Sequence, residues 1–384
     1  MSTIADMERA CSEYRECRLC PRLCGVDRTR SGEYAVGYGG EISAGVIEKA
    51  AYPGRSGVCG QSDRIVLACA TRHFGEEPPL TGRGGSGALF FSGCTMRCSF
   101  CQNRQLSRGE AGREISVDEL VRICLSLQEQ GAENINVVSA TPFIPSVEVA
   151  VLAARREGLQ LPVIWNSSGY ELPEQVERLA GFVDIFLPDL KLLDSKLSGR
   201  LFGVRDYPER ACAAVEKMAE LRPVRWNENA RVDGSADGRG RLDGLELNNG
   251  NETEGPDRRL VSGTIVRHLV LPGLLGESRR VLEWFGSHLR DKALFSLMVQ
   301  FSVPEGISDW RRGVKELENR ILTGTEYRQF LDWLEEYGIE EGFIQEPGAE
   351  ENWWPDFRRY NPFPEEFSKV VWSWISSGGR SPSL

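Results

Sequence analysis

The chain has 384 residues, 41% of them hydrophobic, which suits one large α/β domain with an appendage. Its formal charge of −10 argues against nonspecific nucleic-acid binding, and no apolar run approaches the ~18 residues needed to cross a bilayer. Met1 to Cys11 lacks a basic stretch followed by an apolar core, so no secretory signal is expected; in a reducing cytoplasm the eleven cysteines read as metal ligands plus core thiols rather than disulfides.

Residues 1–80 read as a cysteine-rich leader. Cys17-Arg-Leu-Cys20-Pro-Arg-Leu-Cys24, with Cys59 in a Gly-flanked loop, supplies four thiolates, enough to close a tetrahedral site. Zinc and an auxiliary iron–sulfur cluster both fit that set. Cys11 is an uncertain extra; Cys69, Cys124 and Cys212 lie among apolar neighbours and read as core. Thr29 to Arg55, rich in Gly, Ala and Ser, reads as a surface insertion. Gly82 to Gly87 has no Lys-Ser/Thr after its glycines and precedes a strand, so it is a flexible turn rather than a phosphate cradle.

Strand and helix patterns then alternate through a core spanning residues 81–346. Ala88 to Phe91 is a first buried strand. A helix starts at the capping pair Ser116 and Glu119 and stops near Gly131. Strands follow at Asn134–Val138, Leu161–Trp165, Phe182–Leu187, Thr264–Leu271 and Ala293–Phe301, with helices at Val147–Arg156, Leu172–Leu179 and Ala211–Leu221 between them. A last helix begins near Thr325, and Gly342–Gln345 is a terminal strand. Such a rhythm predicts a parallel sheet with helices outside, curled into a full or partial barrel. Asn227 to Arg258 is polar throughout and reads as a disordered insertion; residues 347–384 form a tail that frays from Ser376.

The chemistry concentrates after the first strand, where Cys94, Cys98 and Cys101 stand in a C-x3-C-x2-C spacing with Phe100 before the third. Three soft ligands in one short loop can hold three irons of a [4Fe–4S] cluster and leave the fourth open. Structural zinc wants four ligands, and the loop offers no other Cys or His. Later strand ends carry Ser139-Ala140-Thr141-Pro142, Asn166-Ser167-Ser168-Gly169-Tyr170-Glu171, Pro188-Asp189-Leu190-Lys191, Arg267-His268 and Gln300. In a barrel these converge on the mouth, and Asp189 and Lys191, two apart, can face one ligand together.

The Cys94–Cys101 loop resembles that of the radical S-adenosylmethionine superfamily. Cys101-Gln-Asn103, Trp165-Asn-Ser-Ser-Gly-Tyr-Glu171, Leu187-Pro-Asp-Leu-Lys191, Arg267-His-Leu-Val-Leu-Pro-Gly273, His73-Phe-Gly-Glu-Glu-Pro78 and Phe91-Ser-Gly-Cys94 narrow this. They resemble the branch related to the pyruvate formate-lyase activating enzyme with an N-terminal Cys-x2-Cys-Pro leader. That resemblance implies an incomplete (β/α)6 TIM-like barrel, a [4Fe–4S] cluster on Cys94, Cys98 and Cys101, and S-adenosylmethionine as cofactor. It also implies a flavodoxin- or ferredoxin-type electron donor, with a protein among the substrates such an enzyme takes. Phe100 would lie along the adenine, Asn103 would shape the loop, and Ser139, Thr141, Asn166, Ser167, Asp189 and Lys191 would line the cofactor pocket. Ser139-Ala140-Thr141-Pro142 replaces the Gly-Gly-Glu that holds the methionyl ammonium in many members. Carbonyls and hydroxyls, Asp189, or another carboxylate such as Glu77 or Glu171 would then take that role. The contrasting reading is an iron–sulfur electron carrier or redox sensor, against which the strand-end polar residues argue, because a carrier needs no cofactor pocket.

Overall fold

The computed structural model describes residues 10–29, 57–227, 258–345 and 354–375. In chain order its strands are β1 (Ile65–His73), β2 (Ser86–Phe91), β3 (Arg113–Ile115), β4 (Ile135–Val138), β5 (Val163–Ser167), β6 (Ile185–Pro188), β7 (Arg225–Trp226), β8 (Leu260–Leu269), β9 (Leu294–Met298), β10 (Gly342–Ile344) and β11 (Ser368–Ser373). The main helices are α1 (Val117–Glu129), α2 (Ile144–Arg156), α3 (Pro173–Leu179), α4 (Ser195–Leu201), α5 (Tyr207–Leu221), α6 (Leu275–His288) and α7 (Gly324–Glu336). The sheet runs β10-β9-β8-β6-β5-β4-β2-β1-β11, with β3 paired to β1 and β7 to β8. Every pairing from β10 to β2 is parallel, while β1 and β11 add antiparallel strands beyond β2. The sheet does not close, and the mixed α/β architecture is that of a partial TIM barrel.

Side-chain alternation sets the two faces. On β5, Val163 and Trp165 pack outward with Val176 and Leu179 of α3, whereas Ile164 joins Ile185, Leu187, Ile265 and Leu294 on the inner face. Leu80, from the single turn Pro78–Thr81, fills the same inner cluster. Prolines open α2, α3 and α5, where a missing N–H costs nothing. Ser116 caps α1 by accepting the Glu119 amide, but the Glu119 carboxylate pairs with Arg113, so only half of the expected capping box forms. A complete box occurs at α7, between Thr323 and Glu326.

The parallel strands and α1, α2, α3, α5 and α7 lie where periodicity places them, displaced by a few residues at their ends, whereas α4 and α6 were not anticipated. Four strands were not anticipated: the short β3 and β7, and the longer β1 and β11. β1 falls within the segment read as leader and β11 within the segment read as tail, so the sheet extends into both. Ile65-Val-Leu-Ala-Cys-Ala is itself a continuous apolar run of the kind a buried strand shows. Cys69 and Cys124 are buried core thiols and Cys212 is partly buried against the core, as expected; all eleven cysteines are free. The proposed insertions at Thr29–Arg55 and Asn227–Arg258 and the frayed end from Ser376 lie, but for their outermost residues, outside the described residues. Among the described residues no helix is long and apolar enough to cross a membrane.

Trp372 of β11 is 1% exposed and belongs to the main core. Replacing it with Ala should lower the free energy of unfolding by about 3–5 kcal/mol in urea titrations. A change below about 1 kcal/mol would mean that β11 is only a loosely attached appendage.

Candidate cofactor and metal site

The Cys94–Cys101 loop leaves the C-terminal end of β2 and has no regular structure. Its backbone is tied to distant segments: the amides of Arg97 and Ser99 donate to the carbonyls of Phe202 (3.0 Å) and Leu201 (2.9 Å), and the Gly93 amide donates to Leu106 (2.8 Å). Gly93 has φ +86°, and a Cβ there would stand 2.4 Å from the Gln61 side chain, so this turn requires glycine. Phe100 is buried, with its ring 5.2 Å from Phe301 and 6.2 Å from Phe202. Asn103 opens the single turn Arg104–Ser107 that ends the loop.

The three thiols influence one another electrostatically. Burial pushes Cys94 up to about 11 and Cys98 up to about 12; the neighbouring thiols add to this, while Lys191 opposes it. A bound cation reverses that balance, because ligation requires the thiolate and releases its proton. Among the described residues no three His, Cys, Asp or Glu side chains close on a single ion position. A cubane cluster takes each cysteine on a different iron, so its ligands need not share one point. The soft, all-thiol donor set of the loop fits such a cluster.

Asp189 and Lys191 follow the end of β6 and pair at 2.5 Å, with side chains 25% and 20% exposed. Burial disfavours the Lys191 ammonium, but Asp189 and Cys98 outweigh it and hold its pKa above the ordinary lysine value. The Lys191 amide donates to the Tyr207 hydroxyl, which lies 2.9 Å from the Asp189 carbonyl. Gly169 makes the adjoining turn, where a Cβ would stand 2.5 Å from the Asp189 carbonyl oxygen. Asn166 on β5 is in register with Leu187 on β6, so Asn166 and Asp189 occupy neighbouring strand ends. Arginines gather near the thiol loop: burial, then the charges of Arg97 and Arg104, lower the pKa of Arg108, and burial lowers that of Arg312 against the opposing pull of Cys98 and Asp309.

Other strand-end residues face elsewhere. Thr141 donates to Glu171 at 2.7 Å, Trp165 donates to the same oxygen at 3.4 Å, and the Ser167 hydroxyl also bonds Glu171. Thr141, Ser167 and Glu171 therefore gather on the outer face, because Trp165 and Ser167 alternate away from Asn166. Ser139 holds a left-handed backbone (φ +62°) at the end of β4, and its amide donates to the Asn166 carbonyl. His268 points into the helix layer, 2.8 Å from both the Leu190 carbonyl and the Ser278 hydroxyl, instead of joining the mouth. Arg267 is held inside the barrel by Glu76 and Glu77, and its charge outweighs burial to keep Glu77 below the usual carboxylate range. Glu77 is bound to Arg267, and Glu171 lies on the outer face beside Trp165.

The leader thiols Cys17, Cys20, Cys24 and Cys59 line one small cavity together with Arg22, Arg28, Thr95 and Thr141. Sequence reasoning missed Arg28 and Tyr207; the arginines interleaved with the leader cysteines were the available signal for the first, and Tyr207 offered none.

A partial parallel barrel carries a three-thiol loop at the C-terminal ends of its strands, a donor set suited to an iron–sulfur cluster. Residues 89–228 match the family model described as the Radical SAM superfamily, a likeness that implies a [4Fe–4S] cluster and S-adenosylmethionine. It is 30% identical over 142 residues to a Methanocaldococcus jannaschii protein described only as uncharacterized, covering 35% of this chain and 40% of that one. It is 23% identical over 163 residues to pyruvate formate-lyase 1-activating enzyme of Escherichia coli, covering 41% of this chain and 65% of the enzyme. The chain thus spans about two fifths of the first relative and just under two thirds of the second. Among solved structures, Streptococcus suis SuiB bound to precursor peptide SuiA superposes with a TM-score of 0.42 at 13% identity, over 66% of this chain and 46% of that one.

Burial pushes the Glu171 carboxyl up to about 7 from its ordinary 4.5, against the hydrogen bonds from Thr141, Trp165 and Ser167. A raised acid is stabilising only while protonated, so its burial costs nothing below the unfolded value and most above the folded one. Glu171→Gln should therefore be more stable than the parent at pH 8, by up to ~3 kcal/mol, with the difference vanishing below about pH 4.5. Chemical denaturation at both pH values checks this; equal stability at pH 8 would show that the Glu171 charge is compensated.

Proposed function

We propose that this chain reductively cleaves S-adenosylmethionine to a 5′-deoxyadenosyl radical and abstracts hydrogen from a protein or peptide. The observation that carries this reading is the three-thiol loop held beside the Asp189–Lys191 pair at the ends of parallel strands. A [4Fe–4S] cluster on Cys94, Cys98 and Cys101 supplies the electron for that cleavage when bound. The chain's own residues do the positioning. Lys191 occupies one Asp189 oxygen, while the partly exposed carboxylate leaves the other to accept from a cofactor ammonium. Tyr207 and the Gly169 turn hold the Asp189 backbone so that this carboxylate cannot swing away. Buried Phe100 keeps the far side of the loop dry and offers an aromatic edge to an adenine. Asn166 adds a polar group from the neighbouring strand end.

The similarity to an activating enzyme supports a macromolecular hydrogen donor, and the arginines near the thiol loop favour an acidic one, or an acidic flavodoxin- or ferredoxin-type reductant, by charge complementarity. A cytoplasmic setting suits the free thiols.

Anaerobically reconstituted protein with a strong reductant should form 5′-deoxyadenosine, and the Cys94/Cys98/Cys101→Ala variant should form none while keeping its circular dichroism spectrum. Undiminished turnover in that variant would overturn the reading. Asp189→Ala should weaken S-adenosylmethionine binding roughly 5- to 150-fold, the equivalent of losing ~1–3 kcal/mol, with the cluster's absorption unchanged. Equilibrium binding to the reconstituted protein measures it; unaltered affinity would remove Asp189 from the pocket.

A further inference from the structure

Arg28 is fully buried. Its guanidinium donates to the carbonyls of Gln61 (3.0 Å) and Ser62 (2.6 Å) and to the Cys17 sulfur (3.4 Å), and it packs 4.7 Å from the centre of the Tyr14 ring. No carboxylate among the described residues pairs with it. A guanidinium keeps its charge in a protein interior, and a buried charge without a counter-charge is strongly destabilising. Arg22 poses the same problem across the cavity. Its Nε and Nη1 donate to the Thr95 and Gly203 carbonyls at 2.9 Å each, while Nη2 is buried with no partner. Two cations thus flank a cavity lined by four thiols, with Thr95 and Thr141 the other polar side chains on its wall.

Those thiols are gathered by the backbone. The Leu23 amide donates to the Cys20 carbonyl and the Gly25 amide to the Cys17 carbonyl, and Leu23 and Gly25 both take a left-handed φ, so the chain reverses sharply between its cysteines. The amides of Arg22 and Val58 donate to the sulfurs of Cys20 and Cys24. Gly57 leaves the space beside Cys24 open: a Cβ there would lie 3.2 Å from the sulfur. Four thiolates around an oxidised [4Fe–4S] core carry a net charge of about −2. Two guanidiniums neutralise it.

We propose that Cys17, Cys20, Cys24 and Cys59 hold a second, four-thiolate centre, an iron–sulfur cluster whose ligands need not share one ion position, whose charge Arg22 and Arg28 balance and which braces the loop carrying Cys94. The bracing is direct. Arg22 bonds the carbonyl of Thr95, Arg97 bonds the carbonyl of Val58, and Gly93 closes against Gln61, whose carbonyl accepts from Arg28.

The test uses the full chain with Cys94, Cys98 and Cys101 replaced by Ala. Elemental analysis after anaerobic iron–sulfur reconstitution should find about four irons per chain, with visible absorption bleached by dithionite. Adding Cys20→Ala and Cys59→Ala should abolish the retained iron. A folded triple variant that holds no iron, or that holds one zinc ion instead, would overturn the proposal. A second arm keeps the three loop cysteines and introduces Arg28→Met. Loss of the counter-charge should weaken retention of the second metal about 10- to 100-fold in a chelator competition. If the cavity is only a cluster of thiols, Arg28→Met removes an uncompensated buried charge, and the variant should instead melt higher with its metal content unchanged. That outcome would also overturn the proposal.

Discussion

The loop after β2 carries no helix or strand of its own, yet three thiols on it must stand in fixed relation to one another. That relation is imposed from outside by backbone hydrogen bonds to Leu201 and Phe202 beyond α4 and to Leu106, with Gly93 pressed against Gln61 from the leader. Loops bearing chemistry depend on such a scaffold because nothing in their own conformation is self-supporting. The parallel register of β4, β5 and β6 then brings Asn166 and Asp189 to the same end of the sheet as the thiols.

Electrostatics divides the molecule more sharply than its formal charge of −10 suggests. Acidic character is spread over the chain, whereas the cysteine-bearing segments are accompanied by Arg22, Arg28, Arg97, Arg104, Arg108 and Arg312. Thiolate-bound metal centres are anionic, and a protein that buries one must bury cations with it or leave the charge unanswered. Inside the barrel the opposite arrangement holds: Arg267 is answered by two carboxylates, Glu76 and Glu77, and needs no ligand.

Much of this was legible in the residues. The C-x3-C-x2-C spacing after an apolar strand marked the thiol loop that the structure places at the end of β2, and the alternation of period-2 and period-3.6 segments located the parallel strands and most of their helices, though not α4 or α6. β1 and β11 escaped because cysteine spacing dominated the reading of the leader, and a short amphipathic run after a polar stretch looked like a tail. The facing of strand-end residues escaped for a different reason. A strand's two faces alternate, so Asn166 and Ser167 cannot both point into the barrel, and deciding which does requires the register. Arg28 was overlooked because the arginines interleaved with the leader cysteines read equally well as solvated, and no local pattern says which of them is buried.

The outer side of the Cys101 loop is completed by residues from far along the chain. The Gln105 side chain donates to Asp356 at 2.9 Å and receives the Phe357 amide at 2.6 Å, and β11 then zips onto β1. At roughly 5–20 residues per second of synthesis, those residues emerge tens of seconds after the three thiols. During that interval the nascent loop is open on one flank and its cysteines are accessible to oxidants and stray metals. Only after synthesis of the β11 segment does this flank of the loop acquire its final wall.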